Sequence, residues 1–216
     1  MVIAIDGPSG SGKSTIAKFL AEKLSDLLKK EFTYINSGKL YRTITLACLR
    51  EKIDLNEPKK VINFAKKLNI SYQKTKVYLN NEDVTDLLHT DEIDRYSAPF
   101  SAIVPVRHIV NDMIRITAKG QNIVVEGRDM TTVVFPKADY RFFVDASADV
   151  RAKRRYDQGV SNLSLQEIKI AIMQRDEIDK HKKEGSLKIG KGVHYIDTSD
   201  LTIIEVYEKL IEKIER

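Results

Sequence analysis

Apolar positions in this chain fall into two alternating patterns. Residues 2–6 form a short β-branched run ending at Gly7-Pro8, the pattern of a buried strand. From Lys13 onward, Ala17, Leu20, Ala21, Leu24, Leu27 and Leu28 share one face of a helix. Residues 32–35 predict a second strand. Leu40, Ile44, Ala47 and Cys48 then repeat at helical spacing, with Cys48 expected in the core. Residues 123–125 and 140–144 predict two further buried strands, and residues 193–196 a fifth. Ile203, Val206, Tyr207, Leu210, Ile211 and Ile214 make a closing amphipathic helix. Strands alternating with helices imply a parallel sheet covered on both faces. The rhythm breaks at residues 70–73 and 77–79, followed by Asn80-Asn81, where a small antiparallel hairpin is expected inside an insertion over residues 56–94.

Composition narrows the class. A chain of 216 residues, 42% hydrophobic and 31% charged, suits one compact domain with room for a subdomain. Its apolar content excludes disorder, and the single Cys48 excludes a disulfide scaffold. No apolar run nears the roughly 18 residues of a membrane span. The N-terminus lacks the basic region of a signal peptide, so a cytoplasmic setting is expected. The net charge of +5 is local: from 151 to 191 there are 11 Lys/Arg against 6 Asp/Glu, and the remainder balances at 25 against 25. That distribution favours one anionic ligand over generic nucleic-acid binding, although a solvated surface accounts for most of the lysines.

The chemistry begins at Gly7-Pro8-Ser9-Gly10-Ser11-Gly12-Lys13-Ser14, which matches G-x-x-x-x-G-K-[ST] between a predicted strand and a predicted helix. Glycines let successive N–H groups turn toward phosphate oxygens, Lys13 reaches the β/γ-phosphates, and the Ser14 hydroxyl can serve Mg²⁺. The helix N-terminus adds partial positive charge. These residues, with Thr15, predict a nucleoside-triphosphate site. No Asn-Lys-x-Asp motif marks a GTPase, and the chain is short for a helicase core.

Arginines cluster where ligands bind open α/β sheets, at the carboxyl edge of the strands. Ser37-Gly38-Lys39-Leu40-Tyr41-Arg42 follows the second strand and Gly127-Arg128-Asp129 the third. Arg151, Arg154 and Arg155 share a helix face at i, i+3, i+4 after the fourth, and Arg175 and Asp179 are i, i+4 with Lys182 beyond. Arg binds phosphate bidentately, as transfer between two nucleotides demands. A bland alternative for Arg175 and Asp179 is an exposed ion-pair ladder.

With these motifs assembled, the chain resembles the bacterial cytidylate kinases among the nucleoside-monophosphate kinases, end to end. The resemblance rests on Ile5-Asp6-Gly7 through Ser14-Thr15, Ser37-Gly38…Tyr41-Arg42, Val106-Arg107, Gly127-Arg128-Asp129-Met130 with Thr132-Val133-Val134-Phe135-Pro136, Asp145-Ala146-Ser147 with Arg151-Ala152…Arg154-Arg155, Arg175-Asp176-x-x-Asp179 and Ile196-Asp197-Thr198-Ser199. It implies a P-loop three-layer α/β fold with a five-stranded parallel sheet, a small inserted antiparallel subdomain and a helical lid. The implied division is a core of 1–36, 95–150 and 192–216, a monophosphate-binding region over 37–94 and a lid over 151–191, all within one kinase domain.

The same resemblance implies roles. ATP lies on the loop with Mg²⁺ at Ser14, and Lys13, Arg128, Arg154 and Arg155 act on the transferring group. Ser37, Tyr41 and Arg42 line the monophosphate site, with Arg42 and Arg128 on its phosphate. Arg107 and Asp129 read the cytosine edge, Arg175 and Asp179 the sugar, and Arg154 and Arg155 belong to the lid. The expected reaction is ATP with CMP or dCMP, by a monomer acting on small molecules, with no stable nucleic-acid or membrane partner. The alternatives are another P-loop kinase, for UMP, dTMP or a non-nucleotide acceptor, and an RNA-binding P-loop protein. Three positions depart from the family's pattern: Lys182 replaces an Arg, Ala98 (flanked by Ser97 and Ser101) falls where a base-contacting Ser is expected, and Thr131 stands in place of Gly.

Overall fold

The computed structural model describes residues 1–215 except 74, 89, 160 and 161; the side chains of Asp91, Asp94 and Ala98 also lie outside the described set, and with them the expectation placed on Ala98. In chain order the elements are β1 (Val2–Asp6), α1 (Lys13–Leu28), β2 (Phe32–Asn36), α2 (Ser37–Arg50), α3 (Pro58–Ala65), β3 (Ile70–Gln73), β4 (Lys76–Leu79), β5 (Glu82–Asp83), α4 (Asp91–Phe100), α5 (Val104–Ala118), β6 (Asn122–Gly127), β7 (Tyr140–Asp145), α6 (Ala148–Asp157), α7 (Leu165–Lys180), β8 (His194–Asp197) and α8 (Ile203–Ile214). One compact unit comprises Met1–Lys30 and Val124–Arg216, the other Glu31–Ile123.

The expected five-stranded parallel sheet is present, in the order β2-β6-β1-β7-β8. In the first unit β1 pairs with β7 from Ile3 opposite Tyr140 to Asp6 opposite Phe143, and β7 pairs with β8 from Phe142 opposite His194 to Asp145 opposite Asp197. Ile3, Ala4, Ile5, Phe142 and Val144 are fully buried, which is why these strands read as unbroken apolar runs. Helix α1 buries Ile16, Ala17, Leu20, Ala21 and Leu24. Leu27 and Leu28, expected on the same face, are instead 56% and 40% exposed. A helix of 16 residues is about 24 Å long, whereas the five-residue β1 spans about 17 Å, so the last turn outruns the strand before the chain reverses at Lys29 with φ 53°. Helices α6 and α7 pack on each other through Ala152, Ile168 and Ile172.

In the second unit the expected hairpin is a three-stranded antiparallel sheet, β3-β4-β5. Asn80 and Asn81, with φ of 50° and 71°, make the turn that adds β5, a left-handed pair that Asn tolerates well. Val77, Leu79, Val84 and Leu88 bury against Ala47 of α2 and give the insertion its own small core. Helix α5 buries Val106, Val110, Ile114 and Ala118 as a stripe and starts with Pro near its N-terminus. Among the described residues no helix is long and apolar enough to cross a membrane.

The junction of β1 with the following loop has no room for a side chain. Gly7 has φ 155°, and a Cβ there would stand 2.0 Å from the Val144 carbonyl oxygen of β7. Gly7→Ala is therefore expected to cost at least about 2 kcal/mol through overpacking, read as a lowered urea midpoint with an unchanged slope.

Candidate active site

The loop between β1 and α1 is shaped by its contacts within the first unit. Gly10, with φ 78°, lies so close to Arg151 that a Cβ would come within 3.1 Å of that residue's Cβ and carbonyl oxygen. Helix α1 begins after Gly12 with no side-chain cap and no acidic residue in its first turn, so its opening N–H groups and dipole remain suited to an anion. Lys13 is buried; its ammonium donates to the Pro8 carbonyl at 2.6 Å and to Ser11 Oγ at 3.4 Å. Burial and the nearby Arg128 push its pKa down to about 7, against the opposing pull of Glu126, Asp6 and Asp179. An anion placed beside these two cations relieves both penalties.

Two arginines of α6 brace the loop. Arg151 donates to the Ser9 carbonyl at 2.9 Å, to the Ala146 carbonyl at 2.9 Å and to Asp176 Oδ2 at 2.6 Å, while Asp176 Oδ1 accepts the Ser9 N–H at 3.4 Å. Arg154 donates to the Thr198 carbonyl at 2.6 Å, to the Thr198 hydroxyl at 3.0 Å and to the Ser11 carbonyl at 3.4 Å. Thr198 in turn donates its hydroxyl to the Asp145 carbonyl at 2.9 Å, so the ends of β7 and β8 are tied to the same arginine. Arg155, expected beside Arg154, instead meets Gln158 at 3.4 Å.

Behind the loop a second cluster forms. Asp179 is fully buried and accepts from Arg128 Nε at 2.7 Å, Arg175 Nε at 3.3 Å and Lys182 Nζ at 2.6 Å. Burial alone would raise the Asp179 carboxyl, but Arg128, Arg175 and Lys182 together hold it well below the usual carboxylate range. The pair Arg175–Asp179 is thus no exposed ladder. Lys182, just past the end of α7, keeps the charge that an Arg would bring, and its side chain is 3% exposed.

Oxygen ligands for Mg²⁺ are also in place. The Ser14 hydroxyl donates to Glu126 Oε1 at 2.6 Å. A hydroxyl beside a carboxylate is the hard-oxygen donor set this ion takes, and it keeps most of its waters, so one or two protein oxygens suffice. At the head of the loop the buried Asp6 carboxylate accepts the N–H groups of Met130 and Thr131 and the Thr131 hydroxyl. Burial pushes Asp6 up to about 6 despite those bonds. Thr131, the departure expected to affect this turn, is accommodated: no residue of Met130–Val134 has positive φ.

The remaining sequence-predicted residues lie in the second unit. Ser37 opens α2, whose N-terminus is capped by Asn36 Oδ1 accepting the Lys39 N–H at 3.2 Å. Tyr41 is buried, and Arg42 donates to the Leu88 carbonyl at 2.9 Å. On α5, Arg107 is 3% exposed and donates to the Ser101 carbonyl at 2.7 Å. Glu126, Asp176, Thr198 and Asp6 were not among the predicted site residues. Asp6, Asp176 and Thr198 lay within motifs that carried the resemblance but had no role assigned, and Glu126 was signalled as an acid closing the apolar run Ile123-Val124-Val125.

A strand, a glycine-shaped loop and a helix that starts on a buried lysine, ringed by arginine, define a P-loop phosphate-binding α/β protein. A family model described as cytidylate kinase matches residues 3–216, and the chain belongs to the cytidylate kinase family. The cytidylate kinase of Borrelia duttonii (strain Ly) is 42% identical over 217 residues, covering 98% of this chain and 97% of that one. That of Caldanaerobacter subterraneus subsp. tengcongensis is 41% identical over 217 residues, covering 99% and 94%. The fold is shared with an uncharacterised protein from Eubacterium ventriosum (TM-score 0.51, 12% identity, 100% of this chain and 98% of that) and with TT1252 from Thermus thermophilus (TM-score 0.51, 15% identity, 100% and 96%).

Removing the shared carboxylate tests the second cluster. Asp179→Asn is expected to cost about 3–5 kcal/mol at pH 7, because buried cations lose their counter-ion. The native pKa is depressed, so this contribution is complete above the unfolded carboxylate range near pH 4 and is lost as pH falls below it. Denaturant titrations should show a difference between wild type and variant that is flat from pH 7 to 5 and shrinks below about pH 4.

Proposed function

We propose that the protein transfers the γ-phosphoryl group of ATP to CMP or dCMP, releasing ADP with CDP or dCDP. The observation that carries this reading is the family match from residue 3 to residue 216, which takes in the acceptor-side segments as well as the widely shared P-loop. Buried Lys13 and half-buried Arg128, cations near one another at the end of the sheet, support it on electrostatic grounds.

In this proposal Gly7, Pro8, Ser9, Gly10, Ser11, Gly12, Lys13, Ser14 and Thr15 form the loop around the phosphates of ATP, with the Lys13 ammonium and the backbone N–H groups of every residue but Pro8 as the available donors. Ser14 and Glu126 would hold Mg²⁺, which would supply positive charge to the triphosphate. Ser37, Tyr41, Arg42, Arg107, Arg128, Asp129, Arg175 and Asp179 are assigned to the acceptor nucleotide on the family resemblance. An ionised Asp129 suits the 4-amino donor of cytosine and repels the carbonyl oxygen of uracil at the same position. An oxygen of the acceptor phosphate bonds to the γ-phosphorus as the bond from phosphorus to the bridging oxygen of ADP breaks. Catalysis is then positioning and charge neutralisation by Lys13, Arg128, Arg154 and Arg155, with no covalent enzyme intermediate. Residues 151–191, chiefly α6 and α7, are assigned the role of a lid that keeps water from the transferring group. The enzyme is taken to work as a cytoplasmic monomer on free nucleotides.

A coupled ADP-release assay across CMP, dCMP, UMP, dTMP and AMP tests the reading. CMP and dCMP should be turned over, and UMP should be poorer by about tenfold or more in kcat/KM. Lys13→Ala should retain the wild-type circular dichroism spectrum and lose at least about 100-fold in kcat. Preferred turnover of another acceptor, or a Lys13→Ala enzyme of near-normal rate, would overturn it.

A further inference from the structure

Asp6 and Thr131 stand outside every role assigned above, yet they join two parts of the site. Asp6 closes β1 one residue before the P-loop and is fully buried. Its Oδ1 accepts the Met130 N–H at 2.8 Å, and its Oδ2 accepts the Thr131 N–H at 2.7 Å and the Thr131 hydroxyl at 2.6 Å. These donors open the short π-turn Met130–Val134, which follows directly on Arg128 and Asp129. Within the turn the Asp129 carbonyl accepts from Val133 at 2.9 Å and Val134 at 3.1 Å, and the Met130 carbonyl accepts from Phe135 at 2.8 Å.

The first N–H groups of any helical turn have no acceptor inside it. Here a carboxylate 124 residues away in sequence supplies one. A single π-turn is a poor structure alone, and such turns persist where their surroundings hold them. Anchoring this one to Asp6 makes the backbone of Asp129 and the entry of the P-loop share a support. The Thr131 hydroxyl adds a third bond that Gly at this position would lack. We infer that Asp6 and Thr131 form a positioning latch that sets the Arg128-Asp129 dipeptide against the P-loop and thereby sharpens selection of the acceptor base. The substrate side of this inference rests on the proposed function; the latch itself does not.

Three variants separate the possibilities. Thr131→Val removes the hydroxyl and keeps the shape, Thr131→Ser keeps the hydroxyl, and Asp6→Asn turns an acceptor oxygen into an N–H₂ facing donors. Thr131→Val should raise KM for CMP by about 3- to 10-fold, lower the CMP/UMP ratio of kcat/KM several-fold, and leave KM for ATP within about twofold. Thr131→Ser should restore all three values. In Asp6→Asn the Met130 and Thr131 amides should exchange with solvent about tenfold faster or more, while amides of α8 keep their wild-type rates. Should Asp6→Asn fail to fold, the Thr131 pair decides. Equal rises in both KM values, or CMP kinetics and selectivity unchanged in Thr131→Val, would overturn the latch. Because exchange is read on the protein without nucleotides, an enzyme inactive on CMP would sink the proposed function while the amide rates still judge the latch.

Discussion

Buried positive charge is the constraint on which this structure turns. Lys13 and Arg151 are buried at the P-loop, and half-buried Arg128 and the enclosed Lys182 side chain meet at Asp179. An isolated ion moved from water into a protein interior costs several kcal/mol, so each must be met by an acceptor. Asp176 meets Arg151, the loop carbonyls of Pro8, Ser9 and Ser11 meet Lys13, Arg151 and Arg154, and Asp179 is divided among three cations. Glu126 and Asp176 also act on Arg128, so cations and carboxylates interleave closely here. At Lys13, burial and Arg128 act together to lower the pKa, against the opposing pull of Glu126, Asp6 and Asp179. A negatively charged ligand beside Lys13 and Arg128 would favour the charged form of Lys13, which is the electrostatic basis for reading the site as one for nucleotide phosphates.

The sheet arranges these groups by ending its strands at one edge. β1 ends in Asp6 and runs into the loop, β6 ends in Glu126-Gly127 ahead of Arg128 and Asp129, β7 ends in Asp145, and β8 ends just before Thr198. Parallel strands place all their carboxyl ends together, so residues 53 to 125 positions apart converge without any long loop. The hydrogen bonds observed at that edge are of this kind: Ser14 to Glu126, Thr198 to Asp145, and Asp6 to Thr131. Helix α6 then follows β7 directly and returns Arg151 and Arg154 to the loop.

Much of the fold was legible from apolar spacing, because a buried strand and an amphipathic helix leave different periods in the chain. The runs at β1, β2, β6, β7 and β8 and the stripe of α1 through Leu24 appear as read. Leu27 and Leu28 did not follow, since periodicity reports a face but not where the opposite layer ends. The insertion's hairpin was visible in its alternation, and its third strand was not, because β5 has only two residues. Among site residues the P-loop was recognisable from its spacing, which is set locally by how a backbone turns around phosphate.

By itself, then, the sequence determined what local rules control: strands, helices, the Gly7 to Ser14 loop, and a basic stretch from 151 to 191. Only the tertiary structure decided which charges meet. Nothing in the spacing of Arg175 and Asp179 distinguished an exposed ladder from a carboxylate buried under three cations, because i, i+4 geometry is the same in both. Arg154 and Arg155 are adjacent in the chain, yet one reaches the loop and the other Gln158, since neighbouring helical positions point about 100° apart. Asp6, Glu126 and Thr198 acquire their partners from helices and a turn distant in sequence. Such pairings depend on strand order, and strand order is a property of the folded sheet that no short window of residues contains.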